Sequence, residues 1–354
     1  MLGGGCAGLC AVMTDANVPA LPTDLGPRLG MDAAADRRLQ QLPPPTDLCL
    51  VDDPAARDLM EFCAVAPDDQ TAMLEARPDP CRDSDWWSLL GGCVAELRER
   101  MDKPLPSGGY VAWPLIPERA GPVGMFVYAW ALLTVVPELI DAHRRRGIPE
   151  EITRDTVAAL GSVMTAHAES CGVRGVGLFP LWGPPQRMCG VDVTIGRHDF
   201  TRAEIGFGDG VAGYALQIHI PPTGRLDEAE SAASISRGLE FFAEHYPDQP
   251  ASALVCKSWI LDPQLGDYLS PDSNLIRFQR RFRLLPHVPL DDASEGDREM
   301  MRLGLHLRVP VEGSLTEDDL CRVPAETTLQ RAFVSHLRSG GHWHKRTGIV
   351  WLDR

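Results

Sequence analysis

Lysine is almost missing from this chain. Only Lys103, Lys257 and Lys345 are present among 34 lysines and arginines, so nearly all the positive charge is arginine. Guanidinium grips carboxylate and phosphate through a two-pronged fork, so an arginine cluster points first to an anionic ligand. Positive charge as a whole is also in deficit: 49 acids leave a formal charge of −15. That balance argues against general nucleic-acid binding and against an anionic membrane surface, since both need an excess of cations. Closely spaced cysteines are lacking too. Ten are scattered along the chain without one CxxC, the closest pair being Cys6 and Cys10. Zinc ribbons and redox pairs are thereby excluded, and free thiols in a reducing cytosol with no metal site are expected. The longest apolar run, residues 122–136, is interrupted by Pro137. It is shorter than the ~20 residues a bilayer needs, and reads as a buried helix. The opening residues carry no basic segment, so no secretory signal is expected and the protein is placed in the cytoplasm.

What is present is ordinary for a globular chain of 354 residues, with 44% hydrophobic and 23% charged residues. The length favours two domains. Residues 1–46 are rich in Gly, Ala and Pro and read as a flexible arm. Residues 47–172 read as a helical domain. Leu90, Val94 and Leu97 form a stripe at i, i+4, i+7 on a helix that Ser84 is expected to cap. The apolar helix near 122–144 ends in Arg144-Arg145-Arg146-Gly147, cations and glycine suiting a helix C-terminus. Pro149, Glu150 and Glu151 open the next helix, with Val157, Leu160 and Met164 on its buried face.

Residues 173–354 read as α+β. Strands are expected over 176–182, 191–196, 201–207, 214–220, 253–261, 303–311 and 348–352. In 214–220, Ala215, Gln217 and His219 alternate with Leu216, Ile218 and Ile220, the period of a strand with one buried face. A helix from about Asp227 would bury Ile235, Leu239, Phe242 and Tyr246. Another, opened by Ser270-Pro271-Asp272, would bury Leu275, Phe278, Phe282 and Leu285. A last one spans 327–338. The architecture is an all-helical N-terminal domain followed by an α+β domain.

This order of elements, and the segment Ser273 to Phe282, resemble the GNAT acyltransferase fold. From Arg144 to Leu352 the chain also resembles a bacterial family of two-domain acyltransferases, with a helical N-terminal domain and a GNAT-like mixed-sheet C-terminal domain. The phrases that carry the likeness are Arg144 to Glu151, Ser258 to Leu265, Asn274 to Phe282, and Leu329 through Trp343.

The resemblance implies acetyl-CoA or a longer acyl-CoA held where two parallel strands, 214–220 and 253–261, splay apart. The pantetheine arm would pair with Ile218 and Ile220. The pyrophosphate would sit on the loop containing Thr223, Gly224 and Arg225, at the N-terminus of the following helix, where the dipole favours anions. Of the family's loop glycines only Gly224 is present, and two prolines offer no N–H. A plain turn capped by Asp227 is the other reading. Asn274, Arg277 and Arg281 on the arginine-rich helix are further candidates for the coenzyme. Arg277 and Arg281, four apart, would share a face that binds phosphate or merely pairs with surface acids.

Transfer to an amine also needs a base. His219, on the polar face of its strand, is the candidate, or else it serves structure alone. The usual tyrosine acid is replaced by Gln279, which cannot ionise; Tyr268 is the proposed substitute. Ser258, Trp259 and Asp262 would line the acceptor site, unless Trp259 is core and Asp262 caps the Pro263 turn. His342, Trp343 and His344 read as a strand start rather than a metal tract. A hydrolase built on Cys256 lacks a legible base. The expected function is acyl-CoA-dependent N-acyl transfer to an amine of a small molecule or peptide. The alternative is a non-catalytic binding or regulatory protein of the same fold. Oligomeric state is not legible.

Overall fold

The computed structural model describes residues 21–45, 48–106, 109–110, 112–179, 181, 183–207, 210–221, 224–287, 292, 294–305, 307, 309 and 313–352. It divides into two compact units. The first comprises residues 1–102, 111–142 and 157–190, the second residues 103–110, 143–156 and 191–354. The chain therefore crosses between units several times, where the sequence reading placed one boundary near 172. The segment 143–156 folds with the sheet because Ile148 enters the core of the second unit, and Arg146 stacks over the Tyr246 ring at 4.4 Å.

Leu25–Leu29 (α1) and Ala33–Leu39 (α2) lie in the stretch read as a flexible arm. Its described part is packed: Leu25, Leu39 and Leu42 are buried, and Asp32 caps α2 by accepting from the amides of Ala34 and Ala35. Widely spaced leucines supply that burial, which the Gly/Pro composition hid. Asp53–Phe62 (α3), Pro67–Glu75 (α4), Ser84–Arg100 (α5), Gly121–Thr134 (α6) and Val136–Arg145 (α7) follow. Ser84 is already inside α5; Asp83 holds the cap position and its carboxylate turns back to the Asp79 amide. The α5 stripe Leu90, Val94 and Leu97 is buried, as are α6 residues from Met125 to Leu133. Residues 121–145 are long and apolar enough to cross a membrane, and 72% of their apolar 18-residue window is buried inside the protein.

The helix expected after Pro149 is two, Glu150–Val157 (α8) and Ala159–Cys171 (α9), with Val157, Leu160 and Met164 buried. No strand forms among the described residues of 176–182. They are turns: Gly175 has φ +124, open to glycine alone, and a side chain there would meet the Met125 carbonyl at 2.5 Å. Gly183–Met188 (α10) closes the series.

The second unit is built on a mixed six-stranded sheet. Its strands are Asp192–Ile195 (β1), His198–Phe207 (β2), Gly210–His219 (β3), Ala251–Ser258 (β4), Arg283–Leu284 (β5) and Arg346–Trp351 (β6), in the order β1-β2-β3-β4-β6-β5. Of these six strands only β3 and β4 pair with each other in parallel, and the helix Glu228–His245 (α11) connects them, as a parallel crossover requires. One sheet face carries Val193, Phe200, Leu216, Ile218 and Leu254 into the main core; Ala215, Ala253 and Ile349 form a smaller cluster.

Asp227 caps α11, its carboxylate accepting from Ala229 and Glu230. The fully buried face of α11 is Ser231, Ser234, Gly238, Phe241 and Phe242, whereas Ile235 and Leu239 are only partly buried. The helix turns its small residues to the sheet because it approaches closely there. Ser231 Oγ lies 2.8 Å from His198 Nε2, and a Cβ on Gly238 would meet the Phe200 ring at 2.6 Å. Gly238→Ala is therefore expected to destabilise the protein by about 1–3 kcal/mol through overpacking, read as a lower thermal midpoint; an unchanged midpoint would contradict this contact.

Asn274–Gln279 (α12) is shorter than expected. Ser273 caps it, and Phe282 and Leu285 lie beyond its end, Leu285 exposed. Glu295–Glu299 (α13) runs into a π turn at Met300–Gly304, so the described residues of 303–311 form no strand. Leu305 and Leu307 bond back to the Met300 and Met301 carbonyls instead. Glu317–Cys321 (α14) and Thr328–Arg338 (α15) follow, α15 opened by a capping box of Thr327 and Gln330.

Candidate active site

The parallel pairing of β3 and β4 runs from Tyr214↔Ala251 to Gln217↔Val255 and stops there, while β3 continues to His219 and β4 to Ser258. The strands thus part at the height of Ile218. Beyond that point β3 stays hydrogen-bonded to β2 on its other side, where His219 faces Asp199. Ile218 sits in the cleft region by its backbone and in the core by its side chain. Ile220 lies just past the strand end, packed against the same core.

The parted end leads to the start of α11. Thr223 lies outside the described residues. Gly224 has φ +64 and is exposed, as is Arg225. Arg197, from the β1–β2 turn, donates to the carbonyls of Pro221 and Arg225, 3.1 Å each, and staples the loop. Arg281 pairs with the Glu228 carboxylate in the first turn of α11. Arg277 pairs with Asp272 at 3.4 Å. The two arginines read as sharing a helix face are thus divided: Arg277 lies on α12, with Asn274 as its first residue, and Arg281 lies past its end. Arg197, Arg225 and Arg281 thus lie at this helix start. Arg197 was not singled out in the sequence; its only mark was a place in a tight turn between strands.

The three residues read as lining the acceptor site, and Tyr268, read as the substitute acid, are held by structure. Trp259 is 5% exposed, packed beneath Gly304. Ser258 Oγ accepts from the Ile260 amide. Asp262 is 1% exposed, and its carboxylate accepts from Gln264 and from the His344 amide at 2.7 Å. The Tyr268 hydroxyl lies 3.1 Å from His336 Nδ1, and its ring packs on Trp343. Gln279, at the usual tyrosine position, donates its amide to the carbonyls of Ile260 and Asp262 and so ties α12 to the end of β4.

His219 stands in a different setting. Ladder register puts Asp192, Thr201 and Gln217 in one row across β1, β2 and β3, on the face that also carries His219. His219 Nε2 lies 3.0 Å from Thr201 Oγ1 and 3.4 Å from the hydroxyl of Tyr110. Thr201 donates to Asp192 Oδ1 at 3.2 Å, and Tyr110 donates to Gln217 Oε1. Tyr110 is delivered by the segment 103–110, held to β2 through Leu105, which exchanges backbone bonds with Arg202 and Glu204. Burial, and behind it the charge of Asp192, push the Tyr110 phenol above its ordinary range. A histidine held by two hydroxyls, beside a buried carboxylate and next to parted strands, is suited to accept a proton. Of this group only His219 was legible; the alternation that exposed it also exposed Gln217, whereas Asp192, Thr201 and Tyr110 required register.

Residues 54–186 match the N-acyltransferase N-terminal domain and residues 194–350 the GNAT-like C-terminal domain. Solved structures are similar over nearly the whole chain. An acyltransferase in complex with decanoyl-CoA and teicoplanin is 29% identical, with 93% of this chain and 98% of that one covered and a TM-score of 0.76. An acyltransferase in complex with CoA and 10C-teicoplanin is 28% identical, with 93% and 98% covered and a TM-score of 0.77. A mutant acyltransferase in complex with octanoyl-CoA is 28% identical, with 94% and 100% covered and a TM-score of 0.78. No curated protein matches the chain.

Proposed function

Because the chain belongs to the two-domain N-acyltransferases with a GNAT-like C-terminal domain, we propose that it is an acyl-CoA-dependent N-acyltransferase acting on an amine of a glycopeptide-type acceptor. The observation that carries this reading is the parting of β3 from β4 beside His219. It opens strand backbone to a pantetheine arm at the place where a base stands ready. The complexes of similar proteins with decanoyl-CoA, octanoyl-CoA and teicoplanin point to a medium-length acyl chain and to the acceptor class. In this reading Ile218 and Ile220 offer backbone to the pantetheine. Gly224, Arg225, Arg197 and Arg281 surround its phosphates. The amine nitrogen bonds to the thioester carbon, the C–S bond breaks, the thiolate leaves with the electron pair, and His219 takes the amine proton.

Calorimetry with acetyl-, octanoyl- and decanoyl-CoA tests the first half, and acyl transfer from the bound ester to teicoplanin-type amines tests the second. Binding that tightens with chain length, followed by turnover, is expected. No binding at millimolar coenzyme would overturn the enzyme reading, and binding without turnover across an amine panel would favour a non-catalytic role.

A further inference from the structure

The two hydroxyls that meet His219 each have one proton, and both protons are already placed. Thr201 gives its proton to Asp192 Oδ1 at 3.2 Å. Tyr110 gives its proton to Gln217 Oε1, an acceptor-only atom. Both oxygens therefore face His219 Nε2, at 3.0 and 3.4 Å, with lone pairs. An N–H at Nε2 satisfies both, and a lone pair there would satisfy neither. We infer that Tyr110, together with Thr201 and Asp192, fixes His219 in the Nε2–H tautomer, so that Nδ1 is the atom that takes the proton of the acceptor amine.

The arrangement also accounts for the charge that forms. When Nδ1 takes a proton, the imidazolium keeps its Nε2–H on Thr201, and Thr201 hands the interaction on to the carboxylate of Asp192, which is 1% exposed. The pair acts as a histidine–carboxylate couple with a hydroxyl interposed. Asp199, directly opposite His219 in the ladder, accepts from Thr194 Oγ1 at 2.7 Å. Tyr110 completes the set from outside the sheet, on the segment 103–110 that folds with it. It is a phenol at the proposed site of a chain that carries Gln279 where the family carries tyrosine. Tyr110, Thr201 and Asp192 are positioning residues: they act through His219.

This inference rests on the acyl-transfer reading, but its first readout does not need activity. In protein labelled with ¹⁵N-histidine, with His219→Gln used to identify the signal, the His219 ring is expected to show a protonated Nε2 and an unprotonated Nδ1 at neutral pH. Tyr110→Phe, which keeps the ring, and Thr201→Val are each expected to move it toward a tautomer mixture. A His219 ring found with Nδ1 protonated, or unmoved by both substitutions, would overturn the inference. In turnover, Tyr110→Phe is expected to lower kcat about tenfold, the scale of one lost hydrogen bond, with KM for acyl-CoA unchanged. An active wild-type enzyme with kcat unaltered by Tyr110→Phe would also overturn it. A wild-type protein that binds no acyl-CoA would instead remove the acyl-transfer reading and leave the tautomer to be judged by the ring signals.

Discussion

Replacing His219 with alanine is expected to lower kcat for acyl transfer by about 10²–10⁴-fold, the usual worth of a positioned general base. The effect should fall on kcat, with calorimetric binding of acyl-CoA little changed. The reason is placement. The features proposed to face the coenzyme are backbone past the end of the β3–β4 pairing and arginines at the start of α11, whereas the imidazole hangs on the polar sheet face among Thr201, Tyr110 and Gln217. Losing the ring removes the proton acceptor and leaves the strand ladder to β2 intact. Thr201 would then keep its bond to Asp192, so the fold should hold. An undiminished kcat would remove His219 from the mechanism. Equal losses in kcat and in coenzyme binding would instead place it in the coenzyme site.

Stability should fall steeply between about pH 6.5 and about pH 4, before most carboxylates titrate. His143 and His198 are 1% and 0% exposed. Burial, aided by Arg202 near His143 and by Arg197 near His198, pushes each from 6.5 down to about 4. The unfolded chain protonates both at ordinary pH while the native protein holds them neutral. Their stabilising effect is therefore complete above about pH 6.5 and is lost as pH falls through 4. A drop from 6.5 to about 4 corresponds to roughly 3 kcal/mol per histidine at the acid end. His167, also fully buried and also shifted down by burial, adds to the same trend. Asp297 works the other way, since burial raises its carboxyl and acid relieves it. Urea unfolding at a series of pH values checks the balance: a stability flat from pH 7 to about 4 would show that these rings are not held neutral in the native state.

Much of this protein was legible where the signal is local. The α11 cap at Asp227, the β3 alternation and the Thr327 start of α15 follow from adjacent side chains competing for one helix end or one face, and Val157, Leu160 and Met164 are buried as read, although on two helices. The misreadings share a cause as well. A strand was read at 303–311 from apolar residues that in fact close a π turn by bonding backward to Met300 and Met301. The apolar stripe Ile235 and Leu239 was read as the face of α11 turned to the core. Phe242 and Tyr246 of that reading are buried, but Ile235 and Leu239 are only partly so; the first turns present Ser231, Ser234 and Gly238 instead, because close approach to β1 and β2 there selects small residues.

The composition and periodicity of the chain were sufficient for a helical domain followed by an α+β domain and for His219 on a polar face, whereas the mixed sheet and the parallel pair that parts came from the resemblance to the GNAT fold. The former depend on neighbours within a few residues, where helix and strand periods speak directly. The partners of His219 depend on something else. Asp192, Thr201 and Gln217 come into one row only through the registers of β1, β2 and β3, and Tyr110 arrives from a segment more than a hundred residues away in the chain. A one-residue slip in any of those ladders would send the same side chains to the opposite face. Which nitrogen of His219 holds the proton is therefore a property of the tertiary structure alone. So is the fate of the arginines: the sequence shows that they outnumber lysine and puts Arg225 before the Asp227 cap, and only the fold shows that Arg197 and Arg281 are also tied to the start of that helix.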